Sequence, residues 1–216
     1  ELSYLEIGAT RDEARMSVVL MHGLGADGHD FAEMATAICR AAEPRKWRFV
    51  LPHAPVQPVT INMGMQMPAW YDILDLSHPR DVNWDTVEDS RARIEALIDQ
   101  ESASTIVLAG FSQGAAMALH IGLRRPNAVA GVLLMSGYLL ESEAYPCPKR
   151  ICEIPIGLFH GDSDMMIPIE AAKRTVETLN TAGYQPTLKV YGRMEHSICD
   201  EEIRDVYEWL ETVAVD

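Results

Sequence analysis

With 216 residues, 48% of them hydrophobic and 23% charged, the chain has the composition of one globular α/β domain with a sizeable core. Its net charge of −14 at pH 7 argues against nucleic acid as a partner, because phosphate contact needs clustered Lys and Arg, and against adsorption to anionic membranes. No apolar run approaches the roughly 20 residues of a spanning helix, so stable membrane insertion is not expected.

In chain order, residues 3–8 read as an edge strand after an N-terminus with neither the basic nor the apolar region of a signal peptide. Ser17-Val18-Val19-Leu20-Met21 is a core strand ending at His22-Gly23-Leu24-Gly25-Ala26-Asp27. Asp30 and Glu33 have capping-box spacing for a helix with Phe31, Met34, Ala35 and Ile38 on one face. Trp47 to Leu51 is a strand stopped by Pro52, and residues 52–83 form a Pro-rich segment with little periodicity. A loop of that length in a compact domain is usually functional.

Asp85 and Glu88 open the next helix, whose stripe is Val87, Ile94, Leu97 and Ile98. The apolar run 104–109 is a strand, followed at Ala115 by a helix, and Val129 to Met135 and Ile154 to Phe159 are further strands. Pro168 sits in the first turn of a helix that Gly183 closes, Thr187 to Tyr191 is the last strand, and Cys199, Ile203, Val206, Tyr207 and Leu210 mark the final helix. Strands that are continuously apolar and alternate with helices imply a mainly parallel central sheet flanked by helices on both faces. Without repeats or linkers, residues 1–216 read as a single domain.

The four cysteines form no C-x-x-C pair. Cys39 and Cys199 fall where small buried hydrophobes fit, and Cys147 and Cys152 lie close enough in a Pro-rich loop to pair. Neither a cysteine nucleophile nor a metal site is indicated.

Between the strand at 104–109 and the helix from Ala115 stands Gly110-Phe111-Ser112-Gln113-Gly114. A G-x-S-x-G between strand and helix is the nucleophile-elbow pattern, in which the turn is too sharp for side chains two residues either side of the serine. A serine hydroxyl needs a base, and the base needs an acid to fix its tautomer. Where an elbow supplies the nucleophile, acid and then base follow it in the chain, which leaves His120, His160 and His196. His120 lies inside the elbow helix and packs in the core, and His160 precedes its acid candidates. His196, in the loop after the last strand, is the expected base. Asp162 and Asp164 both follow one strand; Asp162 is placed to satisfy loop amides, and Asp164 is the better acid candidate.

An oxyanion hole is expected from the Gln113 N–H, next to the nucleophile, and from the Leu24 N–H in the Gly-flanked loop after the earlier strand. His22 is expected to brace that loop. The same Gly-rich stretch lacks the Lys-Ser/Thr ending of a phosphate-binding loop.

Leu20-Met21-His22-Gly23-Leu24-Gly25-Ala26-Asp27, Pro52-His53-Ala54-Pro55, Trp70-Tyr71-Asp72, the Ser112 elbow, His160-Gly161-Asp162-Ser163-Asp164 and Glu195-His196 together resemble the phospholipase/carboxylesterase family of α/β-hydrolases. This family includes bacterial carboxylesterases and acyl-protein thioesterases, and the segments 58–62 and 67–74 look closest to the bacterial branch. The resemblance implies an α/β-hydrolase fold without a separate cap domain and a Ser112, Asp164, His196 triad, with Asp164 ending an H-G-x-x-D pattern. It also implies no cofactor and a cytoplasmic enzyme, often a homodimer, acting on small-molecule or lipid esters or thioesters. One departure is Ala115, where many relatives have a second glycine.

For substrate contact the candidates are Met63, Met65 and Trp70 in the long segment, and Met165 and Met166 after the acid. Thioethers and aromatics suit a pliable apolar acyl pocket, though the same residues would serve equally to anchor the loop. With no large insertion, the cleft is expected to be open, favouring short to medium acyl chains. Thioesterase, lysophospholipase and a catalytically silent binding protein of the same fold are the competing readings.

Overall fold

The computed structural model describes residues 2–77, 80–140 and 154–214. Its elements are β1 (Tyr4–Gly8), β2 (Met16–Met21), α1 (Ala32–Ala41), β3 (Trp47–Pro52), β4 (Val56–Val59), β5 (Met65–Pro68), α2 (Trp84–Ile98), β6 (Thr105–Phe111), α3 (Gln113–Gly122), β7 (Gly131–Met135), β8 (Ile156–Gly161), α4 (Ile169–Thr181), β9 (Thr187–Tyr191) and α5 (Asp200–Val213). Seven strands form one sheet in the order β1-β3-β2-β6-β7-β8-β9. All neighbours are parallel except β1 and β3, so the fold is an α/β-hydrolase sheet with one antiparallel edge strand.

The continuous hydrophobicity of the strands follows from burial on both faces. In β2, Val19 and Met21 join Leu108, Ile94 and Leu97 of α2, Met117 of α3 and Leu179 of α4 on one side. Val18 and Leu20 join Phe49, Met34 and Ile38 of α1, and Val206 and Leu210 of α5, on the other. Each such side chain contributes about 1.5–3 kcal/mol relative to exposure, which is why the central strands carry no alternating polar positions.

The chain runs from β2 to β3 on one side and then places β6 on the other. The strand order therefore reverses at β2 and β6, the point where a crevice opens beyond the carboxyl ends of parallel strands. Ser112 ends β6, and the His22–Asp27 loop follows β2.

Two local expectations need correction. Asp27, not Asp30, caps the first helical segment, accepting the His29 N–H at 2.7 Å, because a 3₁₀ turn over Gly28–Phe31 precedes α1. Asp85 lies in the first turn of α2, as read from the sequence, and Asn83 caps that turn by accepting the Asp85 N–H at 3.1 Å. The 52–83 segment contains an antiparallel ribbon, β4 with β5, turned by the Thr60–Asn62 3₁₀ turn and by left-handed Met63 and Gly64. Asp72 fastens the ribbon from outside by accepting the Thr60 N–H at 2.6 Å and its hydroxyl at 2.8 Å.

Cys39 is half-buried with Sγ 3.7 Å from the Ile7 and Trp47 carbonyls, and burial pushes its thiol up to about 11, far from a reactive thiolate. Cys199 is half-buried as the residue preceding α5. Cys147 and Cys152 lie outside the described residues. No helix among the described residues is long and apolar enough to cross a membrane.

Candidate active site

At the elbow, Ser112 adopts φ 55° and ψ −116°, a conformation that costs a non-glycine residue on the order of 1–3 kcal/mol. The surroundings hold it there: its N–H donates to the Met135 carbonyl at 2.9 Å, and its own carbonyl accepts the Ala116 N–H at 3.2 Å. The flanking glycines are obligatory for packing. A Cβ on Gly110 would stand 2.3 Å from the Gly114 backbone, and one on Gly114 would stand 2.2 Å from the Met21 carbonyl oxygen. Ala115 is accommodated by Gly137, where a Cβ would meet the Ala115 methyl at 2.4 Å.

His196 reaches the serine from the loop after β9. Its Nε2 lies 3.0 Å from Ser112 Oγ, and its Nδ1 lies 2.7 Å from Asp164 Oδ2. The Phe111 ring, 4.8 Å away between centroids, flanks the imidazole. Gly161 lets the 192–196 loop approach, since a Cβ there would stand 2.0 Å from the Met194 carbonyl oxygen.

Asp164 is buried, and its second oxygen, Oδ1, accepts the N–H groups of Met166 at 2.9 Å and Ile167 at 2.8 Å. That leaves Oδ2 for the imidazole. Asp162 instead accepts the Ser163 hydroxyl at 2.9 Å and the Arg193 N–H at 2.6 Å, the loop-bracing position anticipated for it. His160 lies under the acid: Nε2 donates to the Ile167 carbonyl at 2.8 Å and stands 3.6 Å from Asp164 Oδ2. Burial holds its pKa below the usual imidazole range, so it remains a neutral donor.

The loop after β2 lies against the elbow, with a Cβ on Gly23 falling 3.6 Å from that of Ser112. Gly25, at φ 78°, donates its N–H to Pro68, and the Ala26 N–H goes to Gly23. The Leu24 N–H donates to no acceptor among the described residues. The Gln113 N–H opens α3 and is one of the first helical amides, which have no partner within their helix. His22 braces this loop: Nδ1 donates to the Gly23 carbonyl at 2.7 Å, and Nε2 accepts the Ala54 N–H at 3.0 Å. Burial lowers its pKa, in keeping with that neutral tautomer.

The cleft over Ser112 has a volume of about 730 Å³. Among the five substrate-contact candidates only Met166 lines it. Trp70 is fully buried, donating Nε1–H to the His22 carbonyl at 2.8 Å, so it anchors the loop. Met63, Met65 and Met165 are exposed outside the cleft, the first two because they lie in the ribbon turn and its second strand. The apolar walls come instead from Leu24, Ile61, Met67, Ile73, Leu76, Phe111 and Tyr138. Periodicity could not reveal Leu24, Ile61, Ile73, Leu76 and Tyr138, because the connecting segments that carry them have none; Met67 and Phe111 lie in β5 and at the end of β6.

His120 is buried against Glu88, Arg124 and Trp84, and burial lowers its pKa to about 4, which suits a core residue. Asp27, His29 and His53 bring a carboxylate and two imidazoles within 4.8 Å of one another at the surface. Asp27 already accepts His29 Nδ1–H at 2.8 Å, and His53 Nδ1 accepts the Gly28 N–H at 3.2 Å.

A strand-end serine, imidazole and carboxylate in one hydrogen-bonded row, on a sheet of this order, define the α/β-hydrolase class. Residues 2–214 match the Phospholipase/Carboxylesterase family, and the chain belongs to it, as a serine hydrolase. It is 36% identical over 208 residues to acyl-protein thioesterase 1 of Gibberella zeae, covering 90% of this chain and 88% of that one. The relative of the same name from Neurospora crassa is also 36% identical, over 90% of this chain and 85% of its own. Among solved structures, Arabidopsis thaliana SOBER1 superposes with a TM-score of 0.84 at 26% identity, covering 93% of this chain and 99% of that one. Zea mays acyl-protein thioesterase 2 gives a TM-score of 0.85 at 23% identity, with 99% of each chain covered.

Proposed function

We propose that the protein is a carboxylic ester hydrolase that works through Ser112, His196 and Asp164 and an acyl-enzyme intermediate. The observation that carries this reading is the row Ser112 Oγ, His196 Nε2, His196 Nδ1, Asp164 Oδ2, with separations of 3.0 and 2.7 Å at the mouth of an apolar cleft. His196 takes the Ser112 proton as Oγ attacks the acyl carbon. Asp164 keeps the proton of the base on Nδ1 and stabilises the imidazolium. The Leu24 and Gln113 N–H groups receive the developing oxyanion, each worth about 3–4 kcal/mol by analogy with other such sites. His196 then protonates the leaving alcohol or thiol, and water, activated by the same imidazole, releases the acid.

The identity to acyl-protein thioesterases across most of the chain favours a second reading, that the scissile bond is a thioester on an acylated protein. The apolar cleft and the proposed machinery suit both bonds. Hydrolysis of p-nitrophenyl esters from acetate to palmitate, beside matched S-acyl cysteine peptides and with Ser112→Ala as blank, separates them. A preference for short to medium oxyesters supports the first reading, and a preference for long-chain S-acyl peptides supports the second. Turnover by Ser112→Ala would overturn both.

A further inference from the structure

We propose that Arg80 is a recognition site for a carboxylate carried by the substrate, so that the preferred esters are those of an aliphatic chain ending in an acid; this rests on the hydrolase reading above. Arg80 lines the cleft beside Leu76, Tyr138 and Met166, and is the one Lys or Arg among its described lining residues. Its guanidinium is held in place. Nη2 donates to the Met166 carbonyl at 3.1 Å, and the guanidinium carbon stands 5.4 Å from the Tyr138 ring centroid. Tyr138 is itself fixed through a 2.7 Å hydrogen bond between its hydroxyl and that of Tyr71.

Nε and Nη1 are shielded from solvent and have no acceptor among the described residues. A guanidinium is always charged, and buried donors without acceptors are unfavourable. A tie between the 73–82 segment and the Met166 loop would need only the one bond that Nη2 makes. The chain carries 32 Asp and Glu, yet no described carboxylate pairs with this cation. One cation in a wall of Ile61, Ile73, Leu76 and Tyr138 matches a monoanion at the end of an apolar chain. The acid lies either on the acyl or on the alcohol side of the ester.

Two matched pairs decide between the sides: methyl hydrogen adipate against methyl hexanoate, and 6-(butyryloxy)hexanoate against hexyl butyrate. The expected result is a kcat/KM ratio favouring the acid-bearing member of one pair by on the order of tenfold, as a charge-assisted hydrogen bond provides. That ratio should fall with added salt, collapse in Arg80→Gln and survive in part in Arg80→Lys. The pair that shows it identifies the side. No preference in either pair, or an undiminished preference in Arg80→Gln, overturns the proposal. A merely structural arginine would lower both members in parallel and leave the ratio unchanged. If neither pair is hydrolysed, the short-chain oxyester reading fails, and calorimetric binding of hexanoate against hexan-1-ol still decides this one. Tighter hexanoate binding that is lost in Arg80→Gln supports it, and equal binding overturns it.

Discussion

The Gln113 side chain holds the main chain at Trp70 from beneath, its Oε1 accepting the Trp70 N–H at 2.8 Å while Nε2 donates to the neighbouring Tyr71 carbonyl at 2.8 Å. The residue whose N–H is proposed to face the oxyanion thus also joins the elbow to the 69–72 segment. Trp70 continues the link by donating to the carbonyl of His22, at the root of the Leu24 loop. Gln113→Ala removes both of these hydrogen bonds to buried backbone groups, at about 1–3 kcal/mol each. The expected outcome in chemical denaturation is a loss of about 2–4 kcal/mol, with a fall in kcat rather than a rise in KM.

Ser112 carries strain that a glycine would not. Ser112→Gly should be inactive yet more stable than the parent by about 1 kcal/mol, because φ 55° is open to glycine. Ser112→Ala should be equally inactive without that gain. Thermal unfolding of the two variants side by side provides the check, and equal midpoints would count against strain at the elbow.

His160 supports the acid without bonding to it in the row. Replacing it with Phe removes the Nε2–H donated to Ile167 and loosens the loop whose amides hold Asp164. The expected loss is about 1–2 kcal/mol in stability and roughly tenfold in kcat. Asp164→Asn should cost much more, about 10⁴-fold in kcat, through the wrong imidazole tautomer. Steady-state kinetics on one p-nitrophenyl ester ranks the two.

Glu202, in the first turn of α5, is fully buried. Burial pushes its carboxyl up to about 8 against the pull of the Cys199 backbone, with Asp205 adding repulsion. The folded state keeps a proton that the unfolded state releases above a pKa of about 4.5, so stability falls as pH rises from there through about 8. Glu202→Gln removes this dependence. It should match the parent near pH 4 and exceed it by on the order of a few kcal/mol above pH 8, read from unfolding curves at the two pH values. A constant offset between the curves would contradict the buried, protonated form.

Much of this architecture is legible in the residues because burial leaves a periodic trace. The β2 and β6 runs are apolar but for Ser17 and Thr105, since both faces are covered, and the elbow glycines mark the turn from β6 into α3. Ser112, Asp164 and His196 are legible for a related reason: each closes or follows a parallel strand, where chemistry must sit in such a sheet. The ribbon at Val56–Pro68 leaves no such trace. Its strands are short, hold prolines and are largely exposed, so nothing alternates. Met63 and Met65 read as cleft residues by composition, yet the left-handed turn at Met63 and Gly64 keeps them outside it. The cap at Asp27 is hidden because a 3₁₀ turn displaces the start of α1 from the spacing that marks it.

Met166 serves three neighbours through three different parts of one residue. Its N–H holds Asp164, its carbonyl receives Arg80, and its side chain forms cleft wall. Position 166 can therefore be varied in selection for new acyl groups while the main-chain grip on the acid persists. Only proline, which removes the N–H, would convert a change of taste into a loss of chemistry.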